Sequence, residues 1–181
     1  MKAPLPANEE ARLKALHSSR ILDTAAEHSF DQLTQLAATI CDAPVAVVSL
    51  IDSDRQWFKS KLGLTSTETP RDVAFCAHTI LGSDLLVVQD AERDERFADN
   101  PLVTSEPHIR FYAGAPLMTP EGFALGTLCV LDYVPRELSE QQRAALKALS
   151  SQAVAQIELH KTRATPQREE SGAPSAIEAL R

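Results

Sequence analysis

The chain has 181 residues, 44% of them hydrophobic and 24% charged, and a formal charge of −7. That length supports one domain with its own core, and the acidic balance excludes a nucleic-acid footprint or an anionic membrane surface as principal partner. No apolar run reaches the roughly 20 residues of a membrane span, and the opening MKAPLPANEEARLK has no apolar stretch that could act as a secretory signal. Cys41, Cys76 and Cys129 are odd in number and lie in apolar surroundings, which fits reduced thiols of a cytoplasmic protein better than a disulfide framework.

In chain order, residues 8–20 read as a short amphipathic helix with Asn8 as its cap and Leu13 and Leu16 as a thin apolar stripe. Ser29 and Gln32 have the spacing of a capping box, and Phe30, Leu33, Leu36, Ala37 and Ile40 recur at helical intervals, so a core-packed helix is expected over about 29–41. Val45 to Ile51 is almost continuously apolar and β-branched, as in a central strand. Asp52 to Asp54 then turns the chain into a second strand, Arg55 to Leu62. There Arg55, Trp57, Lys59 and Lys61 share one face, and lysines at such spacing suit a sheet edge.

Residues 63–71 read as a polar loop ending in Pro70, and Asp72 as the cap of a short helix stopping near Gly82. Leu85 to Val88 is a short strand, followed by an irregular or briefly helical stretch over 90–101 that Pro101 halts. Phe111 to Leu117 and Gly126 to Leu131 form two further strands joined through Pro120 and Gly122. Ser139 and Gln142 offer a second capping box, with Leu146, Leu149, Ala153, Ile157 and His160 striping the helix behind it. Beyond Lys161 the composition turns to Thr, Pro, Gln, Glu, Ser and Gly, which predicts a disordered tail over 161–181. Helices at both ends and strands between them point to an α+β domain with an antiparallel sheet.

Several short segments occur in a distinctive order: Arg55-Gln56-Trp57-Phe58, Glu68-Thr69-Pro70-Arg71, Phe75-Cys76-Ala77-His78, Asp90-Ala91, Arg96-Phe97 and Asn100-Pro101-Leu102-Val103. They are followed by Phe111-Tyr112-Ala113-Gly114-Ala115-Pro116-Leu117 and Gly126-Thr127-Leu128-Cys129-Val130. Over about residues 8–160 the chain thereby resembles the GAF sensor domains found with bacterial histidine kinases and diguanylate cyclases. The resemblance implies an antiparallel sheet of five or six strands, with the terminal helices packed on one face and a small-molecule pocket on the other. It also implies an N-terminal helical extension over 1–22, the domain proper over 23–160, and a homodimer made through the terminal helices. A separate histidine kinase or diguanylate cyclase would be the partner. The family's ligands range from cyclic nucleotides and tetrapyrroles to iron and small metabolites, so the fold alone does not select a cofactor.

The candidate ligand-binding set is Trp57, Phe58, Arg71, Phe75, Cys76, His78, Asp90, Phe97, Phe111, Ala113, Ala115 and Cys129, with no catalytic and no metal-binding residue expected. Phe111, Ala113, Ala115 and Leu117 form one row of their strand, small enough for a pocket floor; the same small residues equally allow a helix to pack closely. Cys76 and His78 combine thiol and imidazole, the groups that hold zinc, haem or a thioether-linked bilin. Two positions apart on a helix they diverge by about 200°, which favours a buried thiol beside a hydrogen-bonded histidine. Asp90, Asp94 and Asp99 with Arg93 and Arg96 could coordinate iron or bind a polar ligand, with a solvated, mutually paired surface loop favoured. Arg71 is open to two roles, an anion clamp or a structural salt bridge, with the second favoured. For Trp57 packing beneath the loop over 63–71 is expected ahead of ligand contact.

The sequence carries no Gly-rich phosphate loop, serine elbow, His-Glu-x-x-His helix or Cys-x-x-Cys pair, and a non-catalytic sensory domain is expected. Two alternatives remain at this level. One is a thiol enzyme like the free methionine sulfoxide reductases, which requires two cysteines brought together by the fold. The other is a dimerisation module without a ligand.

Overall fold

Every residue of Val45–Ile51 (β1) is buried, so this strand must be covered on both faces. The computed structural model describes residues 1–164 and places β1 third in a six-stranded sheet. The other strands are Arg55–Leu62 (β2), Glu68–Pro70 (β3), Leu86–Val88 (β4), Phe111–Met118 (β5) and Ala124–Asp132 (β6). Their order is β3-β2-β1-β6-β5-β4, with every neighbouring pair antiparallel, giving the α+β architecture expected.

Period-two alternation splits the strands between two cores. Ala46, Val48 and Leu50 of β1, Phe111, Ala113 and Leu117 of β5, and Leu128 and Val130 of β6 point into one apolar cluster. It is closed by Glu9–Ser18 (α1), His28–Cys41 (α2) and Glu140–Ala164 (α5), through Leu16, Phe30, Leu33, Leu146, Ala153 and Ile157. Val45, Val47 and Ile51, with Tyr112, Cys129 and Leu131, face the other way. There they meet two short helices, Phe75–Thr79 (α3), which follows a 3₁₀ turn at Arg71–Val73, and Pro101–Thr104 (α4).

Several local expectations are corrected. Residues 68–70 are the strand β3, paired to Arg55, Gln56 and Trp57, so the start of β2 is not an edge. Lys59, expected to guard that edge, sits at a bulge and turns inward, its side chain fully buried. Its ammonium donates to Glu27 Oε1 at 2.8 Å, Thr24 Oγ1 at 2.8 Å and the Ala25 carbonyl at 2.6 Å. Trp57 likewise belongs to the helix-side cluster. Asp72 caps no helix: the segment is interrupted at Ala74, whose extended backbone separates the 3₁₀ turn from α3. The capping box at Ser29 does not form, because α2 begins one residue earlier and Glu27 precedes it with its carboxylate committed to Lys59. Pro101 starts a helix instead of halting one, at the first position, where its missing N–H costs nothing; Asn100 Oδ1 caps it by accepting from the Leu102 N–H at 2.9 Å.

The box at Ser139 does form: the Ser139 N–H donates to Gln142 Oε1 at 2.9 Å and the Gln142 N–H to Ser139 Oγ at 3.2 Å. Residues 161–164 of the expected tail are the last turn of α5, and the remainder of that tail lies outside the described residues. Among the described residues no helix is long and apolar enough to cross a membrane.

Candidate functional site

Between the sheet and the inserted segments lies a cavity of about 150 Å³. The sheet contributes Val45, Val47, Gln56, Phe58, Tyr112, Cys129 and Leu131, α3 contributes Phe75 and Cys76, α4 contributes Leu102, and Leu64 and Ile109 close it from the connecting segments. Aromatic stacking fixes the α3 wall. Phe75 lies parallel to Phe97 with ring centroids 4.2 Å apart, and Phe97 is fully buried behind it. Asn100 Nδ2 donates to the Val73 carbonyl at 2.9 Å and so ties the start of α4 to the 3₁₀ turn.

Most of the cavity wall is apolar, and apart from Ser66 and Tyr133 its polar groups fall at two places. One is Gln56, 7% exposed: its Nε2 donates to Thr69 Oγ1 at 3.1 Å, while its Oε1 is buried with no partner. A buried acceptor left without a partner costs more than a hydrogen bond ordinarily gains.

The other is a group of hydroxyls and thiols. Cys76 Sγ lies 3.8 Å from Cys129 Sγ and accepts from Thr127 Oγ1 at 2.9 Å and from the Tyr112 hydroxyl at 3.4 Å. Behind these donors stand Ser49, 3.1 Å from Thr127 Oγ1, and Thr79, 2.6 Å from the Tyr112 oxygen. Strand register assembles the group, since Ser49 pairs with Thr127, and Val47 and Gly114 flank Cys129. Gly114 leaves the space over which Tyr112 lies; a Cβ there would strike the tyrosine hydroxyl and ring. Burial pushes the Cys76 thiol up, yet its hydrogen-bonding surroundings, Cys129, Ser49, Thr127 and Tyr112, outweigh it and draw the thiol below its ordinary value. Cys129 moves the opposite way, raised by its hydrogen bond with Cys76 and by burial.

The structure separates the residues expected to line a pocket. Phe58, Phe75, Cys76 and Cys129 border the cavity, and Phe97 backs it. Phe111 and Ala113 belong to the helix-side core, and Ala115 lies on that same side beside α5. The alternation of the row was legible, but its face is the one that receives α5. His78 turns away from Cys76, its Nε2 3.0 Å from the Met1 carbonyl oxygen and its ring edge-on to Phe97. Asp90 lines a separate surface groove and pairs with Arg93. Asp94 pairs with Arg96, and among the described residues no group of three or more His, Cys, Asp or Glu side chains is arranged to hold a metal.

Arg71 lies outside the cavity lining. Its Nη1 donates to the Glu9 carboxylate of α1 and to the Asp52 carbonyl at 2.8 Å, and Nη2 is buried without a partner. Glu9 also accepts from Arg12 Nε at 2.9 Å and Nη2 at 3.0 Å. Burial raises the Glu9 carboxyl, but the two guanidinium groups hold it down at about 2.

Sequence reasoning missed Val45, Val47, Gln56 and Tyr112 in the cavity, and Ser49 and Thr127 beside it. A signal existed for the first two, because an unbroken apolar strand implies material on both faces. For Tyr112, the alternation that set Phe111 against it also placed it on the opposite face.

A family model described as GAF domain matches residues 25–157. Cyclic di-GMP phosphodiesterase PA2567 of Pseudomonas aeruginosa is 42% identical over 163 residues, which are 90% of this chain and 27% of that protein. The chain therefore spans about a quarter of its relative's length. Among solved structures, the GAF domain from Acinetobacter phosphoenolpyruvate-protein phosphotransferase aligns with a TM-score of 0.65 at 19% identity, covering 90% of this chain and 99% of that one. A type II free methionine-R-sulfoxide reductase from Thermoplasma acidophilum aligns with a TM-score of 0.57 at 10% identity, covering 73% of this chain and 94% of that one. At such identities both likenesses concern the fold alone.

Proposed function

The chain belongs to the GAF family, and from that premise we propose that it is the sensory part of a cytoplasmic signalling system, binding a small, largely apolar molecule in the cavity and relaying its presence through the terminal helices. The buried, unpartnered Gln56 Oε1 in the cavity wall is the observation that carries this reading. The ligand it favours presents one N–H or O–H donor to that oxygen and apolar surface to Val47, Phe58, Phe75 and Leu131. For transmission, the ligand must bind one arrangement of α1 and α5 more tightly than another. The same β-strands contact the cavity with one face and these helices with the other, which supplies the route. The output is proposed to be a histidine kinase or an enzyme of cyclic di-GMP turnover, engaged through a dimer of the terminal helices. The named activity of the Pseudomonas relative makes the second attractive.

A cavity of about 150 Å³ is of the size that accepts a benzene ring. Benzene and phenol are therefore the probes, with binding followed by calorimetry on the reduced protein. Phenol should bind about tenfold more tightly than benzene, and Gln56→Leu should abolish the difference. Equal affinities in the wild-type chain, or no binding of either probe, would sink this reading. Native mass spectrometry of freshly purified protein then identifies any retained ligand.

A further inference from the structure

The thiol group at the cavity floor does more than fill space. A buried cysteine ordinarily behaves as a small hydrophobe with a weakly acidic S–H. Cys41 is of that kind: it lies in the helix-side core, and burial pushes its thiol up to about 11. Cys76 differs in three observable ways. It has a second thiol 3.8 Å away, it accepts from two hydroxyls that are themselves backed by Thr79 and Ser49, and it borders a cavity. We infer that Cys76 and Cys129 form a two-thiol site that reacts with a small hydroperoxide admitted to the cavity, Cys76 as nucleophile and Cys129 as resolving thiol.

The chemistry balances with the hydroperoxide as oxidant. The Cys76 sulfur attacks one peroxide oxygen; an S–O bond forms, the O–O bond breaks, and the departing oxygen takes the proton that Cys76 lost, leaving as an alcohol or, from hydrogen peroxide, as water. Cys129 sulfur then attacks the sulfenic sulfur of Cys76; an S–S bond forms, the S–O bond breaks, and hydroxide leaves with the Cys129 proton as water. Two thiols and one hydroperoxide give one disulfide, one alcohol and one water, with two electrons passing from sulfur to oxygen. The sulfurs need to close from 3.8 Å to roughly 2.05 Å, which draws α3 toward β6. Thr127 is a positioning residue, acting through its hydrogen bond to Cys76.

This proposal goes beyond ligand sensing and does not depend on it, since probe binding by the reduced protein is measured separately. The test treats the reduced, folded chain with hydrogen peroxide, quenches with an alkylating agent after unfolding, and maps the peptides by mass spectrometry. The expected result is an intramolecular Cys76–Cys129 disulfide with Cys41 still alkylated. Cys129→Ala should stop at a dimedone-reactive sulfenic acid on Cys76, and Cys76→Ala should leave Cys129 reduced at the same dose. Thr127→Val should slow Cys76 oxidation roughly tenfold, with Thr127→Ser restoring it. Oxidation of Cys76 no faster than that of Cys41, or of Cys129 undiminished in Cys76→Ala, would overturn the assignment. Should the alanine variants fail to fold, the wild-type disulfide map decides, together with capture of one equivalent of phenylarsine oxide across the two thiols. Absence of both overturns it.

Discussion

The two faces of one sheet solve different problems with alternate residues of the same strands. On the helix side, Ala46, Val48, Leu50, Phe111, Leu117 and Leu128 meet α1, α2 and α5 in an apolar core, with charges confined to partnered positions such as Lys59–Glu27 and Arg71–Glu9. On the other side, Ser49, Gln56, Tyr112, Thr127 and two thiols replace part of the hydrocarbon, and a cavity remains. The difference teaches that the first face is built for stability, whereas the second exchanges part of its packing for a cavity bordered by two thiols and a buried amide.

The sharpest test compares two phenylalanines. Phe111→Ala, at a fully buried helix-side position, should cost about 4 kcal/mol, and Phe58→Ala, whose ring borders the cavity, about half as much. Urea unfolding midpoints at unchanged slope measure both, and equal costs would break the contrast.

Acid should act on the helix side. Glu9 is held down at about 2 from its usual 4.5, so its contribution is complete above about pH 4.5 and is lost as pH falls toward about 2. The difference amounts to about 3 kcal/mol. Urea titrations between about pH 5 and 2.5 should show this loss in the wild-type chain and a flatter profile in Glu9→Gln. The same slope in both would mean that the Arg12–Glu9–Arg71 latch does not hold α1.

Gly114→Ala probes the boundary between the faces. Its new methyl would displace Tyr112, costing about 2 kcal/mol and removing one donor from Cys76. A variant of wild-type stability and thiol reactivity would show that Tyr112 does not need the space above Gly114. The smallest effect belongs to Gln56→Leu. It loses the bond to Thr69 and the unpartnered acceptor together, so stability should change by about 1 kcal/mol or less. A larger loss in thermal unfolding would mean that the amide oxygen already has a partner in the resting protein.

Much of this division could be read from the sequence, and its limits are physical. Period two in Phe111 to Leu117 separated the two rows, and the unbroken apolar run of β1 marked a central strand. Alternation fixes which residues share a face but carries no sign, so Phe111, Ala113 and Ala115 pointed to a pocket as readily as to a helix. Short elements held by tertiary pairing escaped: β3 exists because Arg55, Gln56 and Trp57 present a free ladder to Glu68–Pro70. Lys59 read as a surface lysine because nothing local shows that a bulge turns it toward Glu27, 32 residues away. Cys76 and Cys129 could be named individually, but their meeting depends on β6 and α3 converging across a separation of 53 residues.

Trp57 is the chain's single tryptophan, and it sits 8% exposed on the helix side of β2. Its fluorescence therefore reports from the layer opposite the cavity, without a second indole to blur the origin of the signal. Any change in emission when the cavity fills, or when its thiols join, has crossed the thickness of the sheet to reach the fluorophore. The native sequence thus carries its own optical gauge of communication between the two faces, with no label required.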